Sequence, residues 1–306
     1  MPSRIKIKTI RAILSVALAA FVGSCSPQNS SPRLYVMDCG YVNLSDVSGF
    51  GLSNEDTSVR EMFVPCYLVQ HKGKSMLWDA GLPLAMVGAG KVKIDTMAGA
   101  YLQYDVSLID QLAAIGITPE QVDYIALSHL HFDHVGAANL FAGSTWLVQR
   151  SEHEAAFGET AFAAFRPEFY SALQTAQTKL LDGDYDVFGD GKVKLISAPG
   201  HTPGHMVLAL DMKQTGKLVL SGDLYHFQKS RVLKSVPLFN HSAGNTLDVL
   251  LHRHQRAIEH NCVSGGQSEA VCSCLRLHHK DAGFGVSLES ADDVTTLRRR
   301  HIATNH

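Results

Sequence analysis

Between residues 129 and 134 the chain reads His129-Leu130-His131-Phe132-Asp133-His134, three imidazoles and a carboxylate in six positions. Four such groups are costly to bury together unless something pairs with them. A metal ion does so, and zinc favours this donor set, keeping one position open for water where it is catalytic. The preceding run, Tyr124-Ile125-Ala126-Leu127-Ser128, is short and apolar and reads as a buried strand, while Gly136 to Leu140 can start a helix. The donors are therefore expected on a loop at the carboxyl end of a strand. Residues two apart in an extended chain point the same way, so His129 and His131 can grip one ion while Asp133 and His134 reach a second.

Elsewhere the pattern is that of an α/β domain. Arg33 to Gly40 reads as a strand, followed by a loop rich in Ser, Asn, Asp and Gly to about residue 60. Phe63 to Val69 and Ser75 to Leu82 read as two strands joined by a His71-Lys72-Gly73-Lys74 turn. Leu108, Leu112 and Ile115 recur at helical spacing before Gly116, and Glu152 to Phe165 reads as a second helix bounded by Pro167, with His153 on its surface. Residues 84 to 104 are small and apolar and are expected to form a loop over the site. Val193 to Ser197 alternates like a half-buried strand and runs into Ala198-Pro199-Gly200-His201-Thr202-Pro203-Gly204-His205. Prolines and glycines fix an irregular loop there, one able to aim His201 at a metal. Lys217 to Ser221 is the next strand and ends at Gly222-Asp223-Leu224-Tyr225-His226.

The H-x-H-x-D-H signature resembles that of the metallo-β-lactamase-fold hydrolases. Asp38-Cys39-Gly40, the strand Pro65-Cys66-Tyr67-Leu68-Val69, Trp78-Asp79-Ala80-Gly81-Leu82 and Tyr225 make the chain look like the N-acyl-homoserine-lactonase branch, over about residues 33 to 260. The resemblance implies a four-layer αββα sandwich and two zinc ions per chain, although iron or manganese would suit the same donors. It makes His201 the third histidine of the first ion, Asp223 the carboxylate bridging both, and Asp133 and His134 ligands of the second. It gives Tyr225 a hydrogen bond to the developing oxyanion, and His205 a role in supporting its loop. Asp79 would support the metal loop from behind; the alternative is a turn aspartate bonding its own backbone. One more histidine is required on a late strand, and His279, five residues before Phe284, is preferred over His278. The implied reaction is opening of a lactone or related ester by metal-activated water, on a small-molecule substrate. The alternatives are a β-lactam, thioester, phosphodiester or sulfate ester on the same site, or a non-catalytic zinc-binding lipoprotein.

With 306 residues, 45% hydrophobic and 18% charged, the chain can bury a large core. Its formal net charge of −2, without a basic stripe, argues against a nucleic-acid partner. The front differs from the rest: Arg4, Lys6, Lys8 and Arg11 precede the apolar run from Ala12 to Val22, too short to span a bilayer and expected to be a secretory signal covering 1–25. Val22-Gly23-Ser24-Cys25 resembles a bacterial lipoprotein box, which implies a lipid anchor on Cys25 and a membrane-anchored periplasmic protein; ordinary cleavage after a small residue also fits. Residues 26–32 read as a tether, 33–284 as the hydrolase domain and 285–306 as an atypical tail. Cys262, Cys272 and Cys274 crowd the region before that tail, and the strand pattern beyond Asn261 is poor. A frameshifted or truncated reading frame, a disulfide and a Cys-His metal site are the three explanations open for it.

Overall fold

Period-two alternation of apolar side chains decides the architecture, because each strand must satisfy a different layer on either face. The computed structural model of the chain describes residues 31–94, 99–159 and 161–250, and the backbone of 286–291 and 294–299. Its strands are β1 (Arg33–Asn43), β2 (Glu61–His71), β3 (Lys74–Trp78), β4 (Val92–Lys93), β5 (Tyr101–Gln103), β6 (Tyr124–Ala126), β7 (Thr145–Gln149), β8 (Thr178–Leu181), β9 (Tyr185–Asp186), β10 (Val193–Ser197), β11 (Met206–Met212), β12 (Gly216–Leu220), β13 (Val286–Ala291) and β14 (Val294–Arg299). The helices are α1 (Leu108–Ala114), α2 (Phe132–Val135), α3 (Arg150–Phe157), α4 (Gln228–Leu233) and α5 (Ala243–Asp248). The large mixed sheet runs β13-β14-β1-β2-β3-β6-β7-β8, with β5 beside β1 and β4 beside β5; the smaller runs β12-β11-β10-β9.

On β2 and β3, Val69, Met76 and Trp78 face the smaller sheet and pack with Leu195, Leu208 and Leu220. Their neighbours Leu68 and Leu77 face the other way, against Leu108 and Leu112 of α1. A third cluster, Ala198, Val207, Leu224 and Val249, covers the outer face of the smaller sheet beside α5. Helix, sheet, sheet and helix thus form the four layers that the sequence resemblance implies. Ser107 caps α1 by accepting the Asp110 N–H.

Several local expectations are corrected. The helix expected after Gly136 begins at Phe132, so Asp133 and His134 are helical rather than extended. The second helix stops at Phe157, where Gly158 follows, and does not reach Phe165. Residues 84 to 104 contain β4 and β5, which extend the large sheet past β1. Strand β11 goes unread in the sequence because Met206-Val207-Leu208-Ala209-Leu210 is continuously apolar, as a central strand covered on both faces should be. Cys39 and Cys66 form a disulfide across β1 and β2. Residues 286–291 and 294–299 pair with each other and add to the edge of β1.

Register fixes where a site can lie. Strands β3 and β6 are parallel, with Trp78 opposite Ala126, so their carboxyl ends share one sheet edge. Val36 lies opposite Tyr67, which lies opposite Trp78. The later half of β1 therefore runs past that edge with β2 and forms a wall. Arg33 lies opposite Gln70 and Gln70 opposite Ser75, so the chain enters the domain at the other edge.

Candidate metal centre

Strand β6 delivers Ser128 and His129 to this edge, and Asp79, at the end of β3, meets them. Asp79 accepts the Ser128 N–H at 2.6 Å through Oδ1, and through Oδ2 it accepts the Ser128 hydroxyl at 3.0 Å and the His134 Nδ1–H at 3.0 Å. Of the two readings of Asp79, support of the metal loop is the one its side chain fulfils. Its backbone φ of 61° is unfavourable for a residue with a Cβ. The following turn is laced to the loop: Ala80 N–H donates to His134 O at 2.7 Å and Gly136 N–H to Gly81 O at 2.8 Å. A Cβ on Gly136 would stand 2.1 Å from the Leu82 carbonyl carbon, so this approach requires glycine. His131 occupies the N-cap position of α2, and the turn of that helix carries Asp133 and His134 away from His129 and His131.

Two donor clusters result. In the first, His131 Nδ1 is 3.0 Å from both His129 Nε2 and His201 Nε2. Asp223 Oδ2 lies 3.7 Å from His129 Nε2 and 3.3 Å from His201 Nε2. Tetrahedral zinc with ligands at 2.0–2.1 Å has donors about 3.3 Å apart, so these four atoms fit one ion. In the second, His134 Nε2 is 3.2 Å from Asp223 Oδ1 and 3.8 Å from Asp133 Oδ2. Within each cluster all donor atoms lie within 4.8 Å of one another. Asp223 turns one oxygen to each.

The electrostatics suit cations. Burial, with neighbouring imidazoles, pushes His129 and His131 well below the usual histidine range, keeping them neutral and able to donate lone pairs. Burial works against a charged His134, but Asp223, Asp79 and Asp133 outweigh it and raise that imidazole well above its usual range. Burial likewise opposes the Asp223 carboxylate, and His226, His134 and His129 overcome it, holding it well below the usual range. Burial raises Asp133. Three carboxylates around one imidazole make a place where positive charge is favoured, whether carried by a proton or by a metal.

Supporting side chains fix the donors. His201 Nδ1 donates to Asn240 Oδ1 at 2.8 Å, which aims Nε2 inward. His205 supports the loop as expected: Nδ1 donates to Ala198 O at 3.1 Å and Nε2 accepts the Asp223 N–H at 3.1 Å. Burial pushes its imidazole down to about 3. Gly222 has φ 49°, and a Cβ there would meet His205 Nε2 and Ser128 Cβ at 2.8 Å. His226 is unforeseen; its Nε2 is 3.0 Å from Asp223 Oδ2 and its ring packs on Phe50. Tyr225 lines a cavity of about 100 Å³ with Met62 and Phe63, over Asp133, His134 and Asp223. His153 packs on Trp146 and Phe157, away from the donors. Glu152, also unforeseen because it reads as an ordinary helix-start residue, is buried behind the two histidine loops. His279, His278 and Cys25 lie outside the described residues.

Residues 59–255 match the family described as the metallo-beta-lactamase superfamily. The N-acyl homoserine lactonase AttM of Rhizobium radiobacter is 30% identical over 252 residues, covering 78% of this chain and 94% of that protein. The N-acyl homoserine lactonase AiiA of Bacillus thuringiensis subsp. kurstaki is 31% identical over 197 residues, covering 62% of this chain and 75% of that one. Among solved structures, an N-acyl homoserine lactone hydrolase with its product N-hexanoyl-L-homoserine at the catalytic metal centre superposes with a TM-score of 0.64 at 25% identity, over 76% of this chain and 90% of that one.

Proposed function

Because the chain belongs to the metallo-β-lactamase superfamily, we propose that it is an exported dinuclear zinc hydrolase opening an N-acyl-homoserine-lactone-like lactone or a related ester. The observation that carries this reading is Asp223, which offers Oδ2 to the cluster of His129, His131 and His201 and Oδ1 to that of Asp133 and His134. One carboxylate with two oxygens suits a pair of divalent ions about 3.5–4 Å apart. The donors, all nitrogen or oxygen, favour zinc. When bound, the ions supply Lewis acidity and draw the pKa of bound water toward neutrality.

The chain's own residues do the rest. His129, His131 and His201 would hold the first ion, Asp133 and His134 the second, and Asp223 would serve both, with His279 proposed to complete the second site. Tyr225, which lines the same cavity as Asp223, would donate a hydrogen bond to an oxygen that gains charge in the transition state. Met62 and Phe63 give the same cavity an apolar side, the chemistry that an acyl group needs and a phosphodiester does not. The lactonase relatives, AttM of Rhizobium radiobacter matched over 94% of its length among them, support the lactone over other esters.

The test is hydrolysis of an acyl-homoserine lactone, a β-lactam, a thioester, a sulfate ester and a bis-aryl phosphate by one zinc-loaded preparation, with metal content measured alongside. Two zinc per chain and a preference for the lactone are expected. Preference for any other substrate overturns the lactone reading, and a chain holding two zinc without hydrolysing anything overturns the enzyme.

Export is supported by the basic and apolar front, the Val22-Gly23-Ser24-Cys25 box and the Cys39–Cys66 disulfide, a bond at home in oxidising compartments. Residues 26–32 reach at most roughly 25 Å and join β1 at the edge opposite the metal centre. A lipid on Cys25 would therefore tether the domain at the edge opposite the metal centre. Cys25→Ser is expected to move the protein from the membrane to the soluble fraction, and unchanged partitioning excludes the anchor.

A further inference from the structure

Glu152 is 2% exposed, and among the described residues no ion pair reaches it. Its Oε1 accepts the Leu130 N–H at 3.0 Å and its Oε2 accepts the Gly204 N–H at 2.6 Å. Leu130 sits between His129 and His131, and Gly204 is three residues beyond His201, so one carboxylate holds the two loops that carry all three histidines of the first cluster. The approach is close: a Cβ on Gly204 would fall 2.5 Å from Glu152 N and 2.6 Å from Glu152 Cβ. A buried carboxylate without a cation is costly, and burial pushes this one up to about 7 despite its hydrogen bonds. An amide or an apolar side chain would serve packing at lower cost. What neither provides is two acceptors splayed toward two different backbones.

We propose that Glu152 is a positioning residue that clamps the His129–His131 loop to the His201 loop, setting the His131–His201 separation at which the first ion is held. The proposal rests on the metal reading of that cluster. It assigns Glu152 no contact with substrate.

Glu152→Gln tests it with little change of shape, because the amide nitrogen can only donate and so must face one N–H with another. The experiment titrates metal-free full-length protein and the variant with cobalt(II), reading the visible bands of bound cobalt, with near-ultraviolet circular dichroism as the check on fold and kcat and KM measured on zinc-loaded samples. Expected are an unchanged dichroism spectrum, first-site affinity lower by about 10- to 100-fold, as for other groups that orient ligands, shifted cobalt bands, and a fall in kcat at nearly constant KM. A variant matching the parent in affinity and bands overturns the clamp while leaving the metal reading intact. So does a variant that fails to fold, which makes Glu152 a core residue. A parent that takes up no cobalt overturns the metal reading and the clamp together.

Discussion

Asp79 grips His134 from behind the metal loop, its Oδ2 3.0 Å from Nδ1, so that Nε2 is left pointing at Asp223 Oδ1, 3.2 Å away. The same carboxylate takes the N–H and the hydroxyl of Ser128. A residue with no donor atom in either cluster thus sets the direction of one donor and the start of the loop bearing the others. Asp79→Asn removes an acceptor and the charge that keeps Nδ1 protonated. Metal affinity of the second cluster is expected to fall about 10- to 100-fold, measured by competition with a chromophoric chelator. Parental affinity in the variant removes Asp79 from the support of His134.

Asp223→Asn tests the bridge. The amide keeps one acceptor oxygen and has no charge to offset two cations, so the variant should fold, bind less than two zinc per chain and lose most turnover. His131→Ala, by contrast, should empty the first cluster alone, since His131 Nδ1 is its central donor. Elemental analysis distinguishes the two. An Asp223→Asn protein with two zinc and normal turnover shows that the carboxylate does not bridge.

How much of this could be read from sequence follows from how local each constraint is. The donors between His129 and His134 are legible because their chemistry and spacing lie within one loop. The loop around His201 is legible in its prolines and glycines, but the place of His201 and Asp223 beside His131 comes only through resemblance, since strands β10 to β12 bring them there from some 70 to 90 positions away. Asn240, Glu152 and His226 carry no signal of their own: each is an ordinary polar residue until folding brings it against His201, the two histidine loops or Asp223. Leu130 N–H, Gly204 N–H and Asp223 N–H meet their acceptors, Glu152 and His205, across loops far apart in the chain, and no window of sequence contains both partners. The Cys39–Cys66 pairing is hidden for the same reason, because the packing of β1 on β2, irregular between Asp38 and Tyr41, brings the two together and cysteine spacing does not.

Loss of that disulfide should cost stability without touching the donors. It closes a separation of 27 residues, for which the chain-entropy estimate is about 3–4 kcal/mol. Cys39→Ser combined with Cys66→Ser is expected to lower the free energy of unfolding by about that much in denaturant titrations, and reductant should bring the parent to the same value. Equal stability of parent and double variant excludes a stabilising role for the bond.

Away from the centre, Asp190 gives a pH dependence of known sign. Partial burial pushes its carboxyl up, but contacts from His71 at 2.8 Å and Lys72 at 3.2 Å bring it down to about 2. A lowered carboxylate contributes stability above its unfolded value near 3.8 and loses it as pH falls through about 2. The whole shift corresponds to roughly 2.5 kcal/mol, and screening of this solvent-reached pair leaves about 1 kcal/mol. Asp190→Asn should therefore be less stable than the parent by about 1 kcal/mol at pH 7, with the gap closing toward pH 2. A gap that stays constant between those limits rules out the ion pair as its source.

The second cluster has three donors among the described residues, Asp133, His134 and Asp223, and the last is shared with the first cluster. An ion held this way is the weaker of the two, and a further imidazole would strengthen it most. His279 is the residue proposed for that place. His279→Ala is expected to lower second-site zinc while leaving the first ion bound, and His278→Ala to change neither. Because a ligating imidazole must be neutral, the deficit should widen as pH falls through about 6.5, whereas an effect on folding alone would strip both sites together. If both variants hold two zinc with parental affinity, neither His279 nor His278 is a ligand. Replacing residues 271–281 with an apolar strand ending in His-Asp should then raise both zinc content and turnover.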